Sequence, residues 1–224
     1  MKDGFTLIEL LVVIAIIALL LGILMPVVSR VRQQAKVVAV NMELSQIALA
    51  LETYTTDNDG SGNGQAHPPT RKDCSMGWED LMLPPELVQG GYLPAPDPNT
   101  GMSVGMEDRF NPGHTYRYCA VGQLIQNGKL MTKKQALLYI PPGFPDYQPE
   151  GPPEDDIKYS DPGNSPVTWA IYSEGPRFDE WEMIKQLHCP VPKRTWYDPQ
   201  KRKGVIVRMR LKKGRHIGSF DSRG

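Results

Sequence analysis

Three cysteines in 224 residues, at positions 74, 119 and 189, are too few and too scattered for a disulfide-rich scaffold. Their odd number allows at most one intrachain bond and leaves one thiol, and the spacing does not select a pair among Cys74, Cys119 and Cys189. Histidine is also scarce for a metal protein. None of the four forms a His-x-x-x-His pair, and no Cys-x-x-Cys is present, which argues against a zinc site. No Ser-His-Asp, Cys-His or Walker-type arrangement stands out, and the reading is that the protein is not an enzyme. Net charge is also missing, with 25 basic and 25 acidic side chains, but the balance hides a segregation. Residues 55–192 carry 10 basic against 19 acidic groups, whereas residues 193–224 carry 11 basic against two acidic. An acidic middle and a basic tail can attract each other within or between subunits.

What the chain does have is a long apolar run. From Phe5 to Met25 the only charge is Glu9, and about 20 apolar residues rising 1.5 Å each cover the roughly 30 Å hydrocarbon core of a bilayer. The run is longer than the apolar region of a secretory signal, and no small-x-small cleavage site follows it. An ionised carboxylate in such a span costs about 2.5–3.5 kcal/mol. Glu9 therefore either snorkels or protonates one turn from the surface, or meets a positive partner at its own depth, such as the α-amino group of Phe5 after cleavage at Gly4. Arg30, Arg32 and Lys36 follow the span while only Lys2 and the amino terminus precede it, so charge alone would favour keeping the following segment inside the cell.

Gly4-Phe5-Thr6-Leu7-Ile8-Glu9, abutting that apolar run, resembles the prepilin signature shared by type IV pilins and type II secretion pseudopilins. The resemblance implies that a prepilin peptidase cuts after Gly4 and N-methylates Phe5, and that Glu9 is the acid at the fifth mature position. It also implies a domain exported to the periplasm, against the charge rule. Pro26, four residues after Gly22, removes one helical hydrogen bond and predicts a kink or loosened turn. In the family such a proline marks the segment that stretches on assembly, and that role is carried to Pro26.

Beyond Pro26 the pattern turns amphipathic, with Val37, Val40, Leu44, Ile47, Ala48, Leu51 and Tyr54 recurring at three and four residues. One helix over 5–56 results, ended by the Asp-, Asn- and Gly-rich stretch that begins at Asp57. Leu83, Leu87 and Tyr92, with Trp78, read as core residues of one or two short helices cut by Pro84 and Pro85. The succession Leu87 to Pro94, then Asp97-Pro98, then Tyr116-Arg117-Tyr118 looks most like the major pseudopilin of type II secretion.

His114–Val121 and Val167–Ser173 alternate as half-buried antiparallel strands do. Lys133–Tyr139 reads as a short helix capped by Thr132, and Phe178–Leu187 as another helical turn or two. Val205–Lys212 is a strand with Val207, Met209 and Leu211 on one face and Arg208, Arg210 and Lys212 on the other. Lys213-Gly214 turns it back through Arg215–Phe220. The basic ladder reads first as a solvated sheet face that discourages edge pairing, and second as a contact for an acidic patch on a neighbouring subunit. Sparse aromatics beside the charges argue against nucleic acid.

The expected fold is therefore α+β and pilin-like, with a long N-terminal helix packed on a C-terminal antiparallel sheet. Its expected parts are a leader at 1–4, a helix at 5–56 that spans the membrane over 5–25, and a periplasmic globular domain at 57–224. The resemblance implies a pseudopilin that polymerises with copies of itself and with minor pseudopilins, on an inner-membrane assembly platform, into a filament driving type II secretion. Two alternatives stand beside it: a type IV pilin for adhesion, motility or DNA uptake, and a membrane-anchored exported enzyme or binding protein. No cofactor is expected, although major pseudopilins hold calcium in a C-terminal loop. The corresponding stretch, Ser173–Glu180, keeps Asp179 but lacks a dense set of oxygen ligands.

Overall fold

The computed structural model describes residues 7–58, 83–126, 129–136, 138–146, 157–176 and 192–221. The chain divides into two compact units, Met1–Val38 and Ala39–Gly224. Helix α1, Leu7–Asp57, continues through Pro26. In the first unit its apolar side chains are exposed, from Leu7 to Val31. An 18-residue window averages a hydropathy of 3.2 with none of it buried, so by length and composition this helix can cross a membrane.

In the second unit, α1 buries Val40, Leu44, Ile47, Ala48 and Leu51, while Tyr54 is half-buried. The hydroxyls of Thr53, Thr55 and Thr56 turn back to the carbonyls of Leu49, Leu51 and Glu52, and Asn58 Nδ2 donates to the Tyr54 carbonyl. These are second hydrogen bonds to carbonyls of the last turns, the Tyr54 carbonyl also accepting the Asn58 amide at 3.0 Å. A single turn, α2 at Glu86–Gln89, then docks nearby. Leu83, Leu87 and Leu93 are buried, Tyr92 stacks edge-on to Tyr54 at 5.7 Å, and its hydroxyl donates to Asp57 at 2.8 Å.

Among the described residues eight strands follow: β1 (Arg117–Ala120), β2 (Gly122–Gln126), β3 (Lys129–Ala136), β4 (Leu138–Ile140), β5 (Ile157–Tyr159), β6 (Val167–Ser173), β7 (Ile206–Leu211) and β8 (His216–Gly218). Four make an antiparallel sheet in the order β1-β6-β7-β8, and β2-β3 and β4-β5 form separate pairs. Register gives each sheet face its rows. Cys119, Ala170, Met209 and Ile217 line up across the sheet, and the adjacent rows are Tyr118, Ile171, Arg208, Gly218 and Ala120, Trp169, Arg210, His216.

Because side chains alternate across a strand, the first row and the other two face opposite ways. The Cys119 side packs with Leu138, Ile140, Phe144 and Trp196 into one core. Helix α1 covers the other side, as the contacts of Glu43, Ser45 and Glu52 below establish. Strand β6 is consequently buried on both faces along nearly its whole length, where the alternation in sequence had suggested a half-buried strand.

Two further expectations are corrected. Where a helix was expected over Lys133–Tyr139, Lys133–Ala136 lie in β3 and Leu138 and Tyr139 in β4, because β3 pairs antiparallel with β2 and β4 with β5. Lys, Gln, Ala and Leu favour a helix only weakly, and ladder pairing overrides that preference. The basic ladder of β7 is likewise not a solvated face. Arg208 and Arg210 point toward α1 and are partly buried, while Lys212, beyond the strand, is exposed. Trp78 and the segment 178–187 lie outside the described residues. Cys119 is disulfide-bonded, and its partner also lies outside them.

Candidate functional site

Two of the residues expected to direct processing and assembly, Glu9 and Pro26, lie on α1. Gly4 and Phe5 are outside the described residues; Glu9 occupies the first turn, and Pro26 sits inside the helix. A proline lacks the N–H that would bond the carbonyl of Gly22. One turn on, the Ser29 hydroxyl donates to the Pro26 carbonyl at 3.2 Å. A Cβ built on Gly22 meets nothing within 4 Å, so its small size relieves no clash within this chain.

The second unit holds a polar seam between helix and sheet that was not anticipated. On α1, Glu43 and Glu52 border the buried stripe on opposite sides, about 80° and 100° from its centre at 100° per residue. Glu43 accepts hydrogen bonds from the Tyr116 hydroxyl and from Arg109, whose Nε lies 2.9 Å away. Glu52 Oε1 lies 2.6 Å from Arg210 Nε and 3.2 Å from His216 Nε2. The Arg210 contact is an ion pair out of line for a hydrogen bond. Arg208 Nη1 donates to Ser45 Oγ between them at 3.2 Å.

One acid thus anchors the helix beside β1 and the other beside β7 and β8. Together they fix how α1 is rotated on the sheet, and so keep Met42 and Leu49 outward and exposed. The sequence signal was present but divided. Two acids flanked an amphipathic stripe, and a ladder of arginines stood in a strand more than 150 residues later.

Burial, the hydrogen bond to Glu43 and the charge of Glu43 all raise the Tyr116 hydroxyl far above its ordinary pKa of 10.0, so it remains a donor at any physiological pH. Asp108 is buried nearby. Its Oδ1 accepts from the Ser173 hydroxyl at 2.6 Å and the Phe110 amide at 2.9 Å, and its Oδ2 accepts from the Glu174 amide at 3.2 Å. Burial still dominates those hydrogen bonds and raises its pKa above the ordinary 3.8.

A carboxyl raised on folding contributes stability that is complete below its unfolded pKa and disappears as pH rises through the folded value. Asp108→Asn cannot titrate and replaces one acceptor by a donor. Its stability deficit against wild type should be greatest near pH 4 and shrink toward neutrality, by at most about 1.4 kcal/mol per pH unit. Chemical unfolding of both proteins between those limits measures the difference, and a deficit that grows with pH would reject the assignment.

Among the described residues no three His, Cys, Asp or Glu side chains converge as metal ligands, and Asp179 lies outside those residues. The prepilin-type N-terminus, the long apolar helix and the antiparallel sheet with its helix-facing side together resemble the type IV pilin and pseudopilin superfamily. Comparison with known proteins agrees: the family described as "Prokaryotic N-terminal methylation motif" matches residues 1–25.

Over 57 residues the chain is 40% identical to type II secretion system core protein G of Pseudomonas aeruginosa, covering 25% of this chain and 40% of that protein. Over 63 residues it is 43% identical to the type IV wide pilus major component PilA4 of Thermus thermophilus, covering 28% of this chain and 48% of that protein. The chain thus spans less than half the length of either relative. No solved structure matches it.

Proposed function

We propose that this protein is a pseudopilin: a structural subunit, without catalytic activity, that polymerises into a periplasmic filament driving type II secretion. On this reading a prepilin peptidase removes residues 1–4 and methylates Phe5. The helix holds the subunit in the inner membrane, with residues 57–224 in the periplasm. The assembly platform then extracts it into a filament of its own copies and minor pseudopilins. The observation that favours secretion is the segment between α2 and β1. Led by the single turn α2, its buried Leu93, the Asp97-Pro98 turn with Asp97 Oδ1 accepting the Asn99 amide at 2.9 Å, and Tyr116 just before β1 follow the order seen in sequence for major pseudopilins.

The similarity to a pilus component supports a second reading, a type IV pilin. Deleting the gene separates the two. Hydrolases retained in the periplasm, with surface pili intact, favour the secretion filament; loss of twitching or of DNA uptake, with secretion normal, replaces it by the pilin. Turnover of a substrate by the purified protein would overturn both.

A further inference from the structure

Where β6 ends, a second polar cluster occupies the edge of the sheet, apart from the helix seam. Arg117 opens β1 with its side chain only 6% exposed, and its Nη2 lies 2.6 Å from Glu174 Oε1. Asn111 Nδ2 donates to the same oxygen at 2.8 Å. Next to them Asp108 takes its three hydrogen bonds, and the Ser173 hydroxyl that donates to it also accepts the Gly175 amide at 3.2 Å. The backbone itself is tightly seated here. Gly175 has φ +72°, and a Cβ on it would lie 2.1 Å from the Gly204 carbonyl oxygen, so no other residue fits.

This is the start of the stretch to which family resemblance assigns calcium, and its described residues do not suit that ion. Calcium takes six to eight oxygens, largely carboxylates and carbonyls, at about 2.3–2.6 Å. Here the Glu174 carboxylate is already turned to a guanidinium and an amide, and the Asp108 carboxylate to a hydroxyl and two backbone N–H groups. A buried guanidinium never loses its proton, so a dication drawn to Glu174 would meet a permanent positive charge.

We propose that Arg117 is the built-in cation of the β6 exit, neutralising Glu174 and tying β1 to that loop, so that the fold requires no divalent metal there. A buried charge stripped of its partner is left uncompensated; Glu174 without Arg117 is therefore expected to destabilise the whole unit.

The test uses the full chain in detergent micelles. The melting temperature of wild type should be the same in about 5 mM calcium chloride as in an excess of chelator, since an ion that does not bind cannot shift the equilibrium. Arg117→Gln should melt about 5–10 °C lower. The double variant Arg117→Gln, Glu174→Gln should melt above the value expected from adding the two single losses, because neither member of this ion pair is left facing a neutral side chain.

A calcium-dependent rise of more than about 3 °C in wild type would overturn the proposal. So would an Arg117→Gln protein that melts with wild type, or losses that simply add. If Arg117→Gln does not fold, the calcium comparison on wild type and the melting of Glu174→Gln decide the matter. Expected for the latter is a loss of several degrees, because the buried Arg117 guanidinium loses its contact with the Glu174 carboxylate.

Discussion

Cells carrying Glu9→Val should cleave the precursor after Gly4 normally yet assemble almost no filament. Valine removes the roughly 2.5–3.5 kcal/mol that a carboxylate costs in the membrane, so the variant subunit should insert and accumulate at least as well as wild type. What it loses is the proposed attraction between Glu9 and the amino group of Phe5 on a neighbouring subunit. Removing one partner of a buried charge pair costs about 3–5 kcal/mol, which is a factor of about 10² to several times 10³ in the affinity for each added subunit. Mass spectrometry of the membrane-bound protein should find a methylated Phe5 in both wild type and variant. Sedimentation of sheared or solubilised filaments should find polymer in wild type alone. Abundant filaments from Glu9→Val would show that the acid is merely tolerated near the membrane surface, and an intact Met1 in wild type would reject the processing pathway.

The second large effect belongs to the second unit, residues 39–224. Trp169→Ala should destabilise it by about 3–5 kcal/mol, out of the 5–15 kcal/mol that holds a typical domain together. Trp169 lies on a central strand, 1% exposed, beneath α1 and in the same row as Arg210 and His216. Its ring centroid is 5.4 Å from that of His216. Truncation would empty the space beneath the helix and remove the surface against which the Glu52 contacts are set. The melting temperature should fall by roughly 6–20 °C. Trp169→Phe keeps an aromatic ring and should cost less than half as much. A loss below about 1 kcal/mol in denaturant unfolding of the alanine variant would mean that this sheet face is not closed by the helix.

These two residues differ in how far the sequence reveals them. Glu9 is conspicuous as a lone charge in an apolar span, and its neighbours Gly4 and Phe5 form a contiguous motif that needs no folding to be recognised. Trp169 could be assigned to a strand from the alternation of Val167–Ser173, but not to a strand covered on both sides. Glu43 and Glu52 are ordinary helix acids in sequence, and Arg208 and Arg210 an ordinary charged strand face. Neither pair points to the other across more than 150 residues. Lys133–Ala136 departs from the expected helix for a related reason: its composition suits a helix, and only pairing with β2 makes it a strand.

By itself the sequence determined the membrane-competent helix, the processing motif, the amphipathic stripe from Val40 to Leu51 and the strand pattern of Val205–Lys212, because each is written in local periodicity or in adjacent residues. The tertiary structure alone decided which strands are neighbours, that the arginines of β7 lie under the helix instead of in water, and that Arg117 meets Glu174. Those outcomes depend on register and burial between segments far apart in the chain. Whether a charge there is solvated or paired is set by what packs over it, which no local pattern of residues specifies.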